Sequence, residues 1–419
     1  MAHSGIPHPD ALELSKAELL KSLMRVDSDP ESSNRVLAME TDFRARITSH
    51  VQSLPTKDSK FSKFNTSPFV LMFYALQHGL SRISEIEDAI LPAKVFSSME
   101  TSAGRMVEAI VLPQYGWEFS PSGMHSTNSA IDGKKLCGKT LCLATLKSGP
   151  RCLNDEMSEN FADTILSNCD AWAKDAKVKK IDFTYGVLYG TRKQSNKKDW
   201  HILRNIAKKL PSGLQEGPEN QWSCRFVKNG IDVTVTVRIG IDLWNYVAGH
   251  DLAFMEICAS LLRACVKPSD LETGKQEYAI SDLKDIISLA GVPAGYNTKI
   301  IQRSQLEWLF FLARHFCDGL VPGDLESLSR EAGKGRGRKR GQIDLPCTAG
   351  YARCRSGGGG LGVGDDNERG RVQAGGWAGW DSGFRLATRA GLRGVGDDSA
   401  ADGGDRGLDG AGRVRDQLL

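Results

Sequence analysis

Apolar residues recur at close to the helical period through about the first hundred positions, then in alternating or unbroken runs from Trp117 onward. Leu12, Leu14, Leu19, Leu20, Leu23 and Met24 mark a first helix. Val36, Leu37, Met39, Phe43, Ile47 and Val51 mark a second, with Ser32-Ser33-Asn34 as its cap. FVLMFYALQH predicts a third, begun at Ser67-Pro68 and stopped at Gly79. SRISEIEDAILP predicts a fourth that ends at Pro92. A longer helix over 94–112, closed by Pro113, carries Met106, Val107, Ile110 and Val111 on one side, with Arg105 and Glu108 near that apolar face.

From Trp117 the short apolar runs WEF, SAID and LCLATLKS, separated by Gly, Pro, Ser and Asn, predict three strands. Asn154-Asp155-Glu156 opens a helix to about Ala176. IDFTYGVLYG (181–190) reads as a buried central strand. ILRNIAKKL is a short amphipathic segment, and WSCRFV and IDVTVTVRIGI form a hairpin about Asn229-Gly230, with Val233, Val235 and Val237 on its buried face. Helices over 252–266, 280–289 and 305–317 follow. The predicted fold class is α/β, a mixed β-sheet flanked by helices, with a helical N-terminal region (1–92), an α/β domain (93–325) and a disordered tail (326–419). The tail reading rests on composition: residues 331–419 hold 24 of the 44 glycines, and 341–419 contain neither lysine nor methionine.

Composition narrows the class without naming it. At 419 residues and 40% hydrophobic the chain can bury a large core. Its N-terminus is polar and charged, and no apolar run approaches the roughly 20 residues of a membrane span, so a soluble cytoplasmic protein is expected. The ten cysteines include no CxxC pair and sit mostly in apolar runs, as reduced buried thiols do. A net charge of +3 leaves any nucleic-acid binding to local basic clusters.

Two chemistries compete for the stretch IDGKKLCGKTLCLATLKSGPRCLNDE, residues 131–156. Residues 133–140, from Gly133 to Lys139 and Thr140, match GxxxxGK[ST], a phosphate-cradling loop of nucleotide hydrolases. That loop needs a buried strand before it and a helix after it. SAID is short and polar, and LCLATLKS is cut by Gly149-Pro150. The alternative is a lysine-rich turn joining two strands, which brings Asp132 and Lys147 together.

On that second reading, Ile131-Asp132, Thr145-Leu146-Lys147 and Glu108 on the preceding helix resemble the PD-(D/E)XK nuclease superfamily, and most closely its type II restriction endonucleases. The segment VTVRIGIDLWNYVAG looks like the late strand and helix of several such enzymes, and the resemblance covers about residues 100–260. It implies a magnesium-dependent enzyme that cuts double-stranded DNA at a short specific sequence, works as a homodimer and is paired with a DNA methyltransferase. Asp132 would hold magnesium, Lys147 would orient or deprotonate the attacking water, and Glu108 would assist from the helix. Thr145 stands where the family has a second acid. Some restriction enzymes carry that acid on the following helix, which makes Glu156 the second magnesium ligand, with Asp155 behind it. The same Thr145 motivates another reading, an inactive DNA-binding or regulatory protein with a nuclease-like core.

A nuclease also needs cations for the phosphate backbone. Lys134, Lys135 and Lys139 in the expected turn, Arg151 after it, and Arg192, Lys193, Lys197 and Lys198 after the central strand are the candidates, with Lys177, Lys179 and Lys180 before that strand. Gln194, Ser195 and Asn196 have side chains of the kind that read base edges. His125 reads as a loop histidine.

Overall fold

The computed structural model describes residues 10–64, 67–120, 131–210, 213–216, 222–268 and 278–328, all within one compact unit. Residues 329–419 of the expected tail and His125 lie outside the described residues, whereas 326–328 are described and Leu328 is buried in the core. The chain begins with β1 (Glu13–Ser15), α1 (Lys16–Ser28), α2 (Pro30–Ser53), α3 (Pro68–Gln77) and α4 (Ile83–Gln114). Next come β2 (Glu118–Phe119), β3 (Gly133–Cys137), β4 (Thr140–Lys147), α5 (Asp155–Ala176) and β5 (Lys180–Val187). Then follow α6 (Trp200–Lys209), β6 (Leu214–Glu216), β7 (Ser223–Lys228) and β8 (Ile231–Ile239). The last elements are α7 (Ile241–Ala248), α8 (Ala253–Cys265), α9 (Leu283–Ile287), α10 (Leu306–Arg314) and β9 (Gly319–Val321).

Seven strands form one mixed sheet in the order β2-β3-β4-β5-β8-β7-β6. The centre, β4, β5 and β8, is parallel, and the outer pairs are antiparallel. Alternation sorts the side chains to two faces. Leu141, Leu143, Ile181, Phe183, Tyr185 and the three expected valines of β8 bury against α5 and α6. Cys142, Ala144 and Leu146 turn to the other face, against α2, α4, α7 and α8. The hairpin between β7 and β8 turns through Asn229 (φ 50°) and Gly230 (φ 77°), as the Asn-Gly pair predicts.

The N-terminal helices are part of the same body. Leu19, Leu20, Leu23 and Val36 share a core with Met255, Leu262, Leu309 and Phe310, and Arg35 pairs with the fully buried Glu256 at 2.8 Å. The boundary expected at 92/93 falls inside α4, which runs through Pro92 without ending. That proline forgoes one amide bond toward Asp88, whose exposed position leaves the carbonyl to water. Several further boundaries also differ. Leu14 lies on β1, which pairs with β9. Asp29, not Ser32-Ser33-Asn34, caps α2 by accepting from the Glu31 amide at 3.1 Å. The 280–289 segment holds only the short α9.

Between β8 and α7 the chain reverses at Gly240, in a left-handed conformation (φ 58°, ψ −119°) in which a Cβ would stand 2.5 Å from the Gly190 carbonyl oxygen. Gly240→Ala is therefore expected to cost roughly 3 kcal/mol or more, from backbone strain plus a clash with backbone that cannot yield. Urea unfolding followed by circular dichroism measures this, and an unchanged midpoint would contradict it. Among the described residues no helix is long and apolar enough to cross a membrane, and all eight described cysteines are free.

Candidate active site at the end of strand β4

The expected strand SAID is not formed at its described end. Ile131 and Asp132 lie just before β3, and the lysine-rich segment taken for a turn is β3 itself, with Gly133 its one buried residue. The turn is only Gly138-Lys139, with Gly138 at φ 61°. Residues 133–140 thus form a strand and a tight turn into another strand, without the helix that a phosphate-cradling loop requires.

Register sets Asp132 beside the strand that ends in Lys147. Gly133 pairs with Ala144, and the Asp132 amide donates to the Ala144 carbonyl at 2.9 Å, which sets the Asp132 side chain beside the last residues of β4. Its Oδ2 accepts from the Leu146 amide at 2.7 Å and from the Thr145 hydroxyl at 3.2 Å. The Thr145 side chain, at the position where an acid was looked for, is an anchor for the acid that is present. Both contacts fall on one oxygen and leave Oδ1 outside this pair of bonds.

Glu108 arrives from α4. One turn earlier, Gly104 brings this helix so near that a Cβ there would sit 3.4 Å from the Ser148 Cβ. Glu108 is buried. Loss of water and the charge of Asp132 push its carboxyl up to about 8, while Lys147 and Arg105 pull the other way. Lys147 holds its ammonium 5.5 Å from the centre of the Phe161 ring on α5. The sheet end thus gathers two carboxylates and a lysine from three separate elements, with Arg105 within electrostatic reach.

Glu156 does not join them. It is exposed on the first turn of α5 and has no hydrogen-bond or ion-pair partner among the described residues. Asp155 faces elsewhere, bonded to Lys198 at 2.6 Å and His201 at 3.1 Å, and Lys198 first and His201 second hold its carboxyl below the usual range. The reason is local: Asn154 caps α5 by accepting from the Met157 amide at 2.8 Å, and this fixes which way its first turn points. Among the described residues no group of three or more His, Cys, Asp and Glu is placed to hold a metal ion.

Of the expected basic rim, only part is at this end. Lys139 sits at the opposite end of β4, roughly 23 Å away at the rise of a strand, and Lys177, Lys179 and Lys180 lie at that same far end of β5. Lys134 pairs with Glu118 at 2.9 Å, and Lys135 donates to the Tyr115 carbonyl at 2.7 Å. Arg151, Arg192, Lys193, Lys197 and Lys198 lie in the loops after β4 and β5, where those strands end beside the carboxylates. Arg192 and Lys197 both stand 5.2 Å from the Trp222 ring, and Arg151 donates to the Gln194 carbonyl at 3.2 Å. Arg151 and Lys193 are in no ion pair among the described residues. The side chains considered for base reading instead hold the loop: Ser195 donates to Asp199 at 2.6 Å, Asn196 to the Leu153 carbonyl at 3.1 Å, and Gln194 to the Cys317 carbonyl at 3.4 Å.

Sequence reasoning missed two contributors. Thr145 was read as a gap in the metal site, although a hydroxyl two residues before the lysine could have been read as a donor. Trp222 gave no signal, because the cations it supports lie 30 and 25 positions earlier in the chain. No family model matches the chain, and no curated protein matches it.

Proposed function

We propose that this protein is a magnesium-dependent endonuclease of the type II restriction kind, hydrolysing phosphodiester bonds of double-stranded DNA at the end of β4. The observation that carries the reading is that the charges of Asp132 and Lys147 both act on the buried Glu108 at the end of β4. It is supported by the order α4-β2-β3-β4-α5-β5, which is the helix, strand and helix order that the resemblance called for. A short specific target, a homodimer and a companion methyltransferase come from that resemblance and are proposed with it.

The residues fit a magnesium ion better than a transition metal. Magnesium is commonly held by one or two carboxylates, with water and substrate phosphate completing its shell, whereas a site of three or more protein ligands is absent among the described residues. A buried carboxyl pushed up by lost water and by the charge of Asp132, as that of Glu108 is, is what a divalent cation would relieve. Asp132 and Glu108 would hold it, in place of the Asp132 and Glu156 pair first expected. When bound, magnesium would supply charge stabilisation at the phosphate and a more acidic water.

The chain's own groups do the rest. Leu146 and Thr145 fix the Asp132 carboxylate, so that it does not have to be oriented when substrate arrives. Lys147 places a positive charge beside the reacting phosphate and orients the attacking water. Arg151, Arg192, Lys193, Lys197 and Lys198 neutralise the flanking backbone. Thr145→Val is expected to lower the cleavage rate about 10–100-fold while leaving the fold and salt-dependent DNA binding intact, because it frees the carboxylate without removing it. Single-turnover cleavage of a labelled duplex reads this, and a rate equal to wild type would refute the anchoring role.

The reading is tested by incubating the full-length protein with plasmid DNA of known sequence, with and without magnesium. Discrete fragments only with magnesium support it. Salt-sensitive DNA binding with no cleavage under any divalent metal would favour the inactive DNA-binding reading, which Thr145 in the acid position motivates.

A further inference from the structure

The loops after β4 and β5 are stitched into one layer at the candidate site. The Leu188 amide donates to the Lys147 carbonyl at 2.9 Å and the Asn196 amide to the Pro150 carbonyl at 3.3 Å. Gly190, at φ 97°, comes so close to Pro150 that a Cβ would stand 2.8 Å from its Cγ. Within this layer Leu188, Gly190 and Thr191 are buried, whereas Tyr189 is 43% exposed. Its backbone is held on both sides. The Trp244 indole donates to the Leu188 carbonyl at 2.9 Å, and the Gly190 amide donates to the His315 carbonyl at 3.0 Å. The Tyr189 side chain lies against Gly149, two residues past Lys147, where a Cβ would stand 2.8 Å from the tyrosine hydroxyl and 3.1 Å from Cζ. Gly149 is not in the left-handed region, so its backbone does not demand glycine. What the absent side chain leaves room for is the hydroxyl of Tyr189, which has no hydrogen-bond partner among the described residues.

We propose that Tyr189 is a DNA-contact residue of the candidate site, its hydroxyl donating to a backbone phosphate next to the one that is cleaved. The inference rests on the nuclease reading and deepens it. Tyr189 stands two residues past Val187, the register partner of Lys147. Helix α4 meets the same point, since a Cβ at Gly104 would lie 3.4 Å from the Ser148 Cβ and 3.9 Å from the Leu188 Cδ1, one turn before Glu108. The cations of these loops attract a duplex chiefly through charge, in a way that depends on salt and not on register. A neutral hydroxyl adds a directional bond, of the kind that fixes how a duplex lies on a protein without reading its sequence. Because the backbone around Tyr189 is already held, little order has to be gained when that bond forms. Insertion of the ring between bases is the poorer role, because an intact duplex offers no open base face without being unstacked. A tether within the protein is also the poorer role, because the hydroxyl bonds to no described residue.

The test is fluorescence anisotropy of a labelled plasmid fragment titrated with the full-length protein in the absence of divalent metal, over a series of salt concentrations. Tyr189→Phe keeps the ring and its packing, and should raise Kd about tenfold, the loss expected for a hydrogen bond to a charged group. The slope of log Kd against log salt should not change, because no charge is removed, whereas Arg151→Ala should reduce it by about one. Gly149→Ala should weaken binding about as much as Tyr189→Phe, because its methyl displaces the hydroxyl. Its Tm should stay that of wild type, because the displaced atom is the end of an exposed side chain. The variant carrying both changes should bind no more weakly than the weaker single one, since both act on one contact. Wild-type affinity in Tyr189→Phe, or losses that add in the double variant, would overturn the proposal, while binding and magnesium-dependent cutting by wild type would leave the nuclease reading standing. Wild type that neither binds the fragment nor cuts plasmid would overturn both.

Discussion

Lys147→Ala is expected to slow magnesium-dependent cleavage about 10²–10³-fold, the range lost when one positioned charge-stabilising donor is removed. Two effects act in the same direction. The reacting phosphate loses a positive neighbour and the water loses a group that orients it. In addition, Glu108 loses the first of the two cations that counter its burial and the charge of Asp132, so its carboxyl moves further up and holds a cation less readily. Lys139→Ala is the matched control, because Lys139 lies in the turn at the far end of β4. It should cleave as wild type does. Equal cleavage by wild type and Lys147→Ala would remove the site from the end of β4, and loss of activity in Lys139→Ala alone would move it to the other end.

The second large effect concerns stability against pH in metal-free protein. The folded-state carboxyl of Glu108 lies above its ordinary value, at about 8, so folding is favoured by its bound proton. That contribution is fully present below about pH 4.5, fades as pH rises, and is gone once the pH passes about 8. The nominal shift corresponds to at most about 5 kcal/mol at the rate of roughly 1.4 kcal/mol per pH unit. Glu108→Gln cannot ionise, so it should hold its Tm between pH 6 and pH 9 where the wild type falls by several degrees. Magnesium should restore the wild type at pH 9, and do so more than at pH 6, because the metal binds the ionised carboxylates and competes with the proton. The two melting curves, with and without magnesium, provide the check. Parallel pH dependence of wild type and Glu108→Gln would mean that Glu108 is not buried as described. A magnesium effect that survives in Glu108→Gln and Asp132→Asn would place the metal elsewhere.

How much of this could be read in the residues depends on whether the signal was local. The near-continuous apolar runs LCLATLK and IDFTYGV are enough to specify two strands buried on both faces, and they put Lys147 at a strand end. Glu108 alone reads as a partly solvated helix residue, and only the resemblance singles it out. β3 did not stand out, because it is covered only by the two-residue β2 on its outer side, and each of its four side chains is exposed or half-buried. A solvated strand of that kind has the composition of a loop. Glu156 was misjudged for a different reason: counting residues past a lysine gives a distance along the chain, whereas the direction of a helix's first turn is set by its cap.

The pairing of β1 with β9 has a consequence for how the protein is made. Ser15 and Val321 are partners in one short parallel ladder, and the leucines of α1 share their core with α8 and α10. On a ribosome adding about 5–20 residues per second, the roughly 300 residues between the two strands take about 15–60 s to emerge. Throughout that interval Leu19, Leu20, Leu23 and Val26 have no core to enter. The end of the sheet that carries Asp132 and Lys147, completed by residue 239, is synthesised well before the clasp that ties α1 to α10.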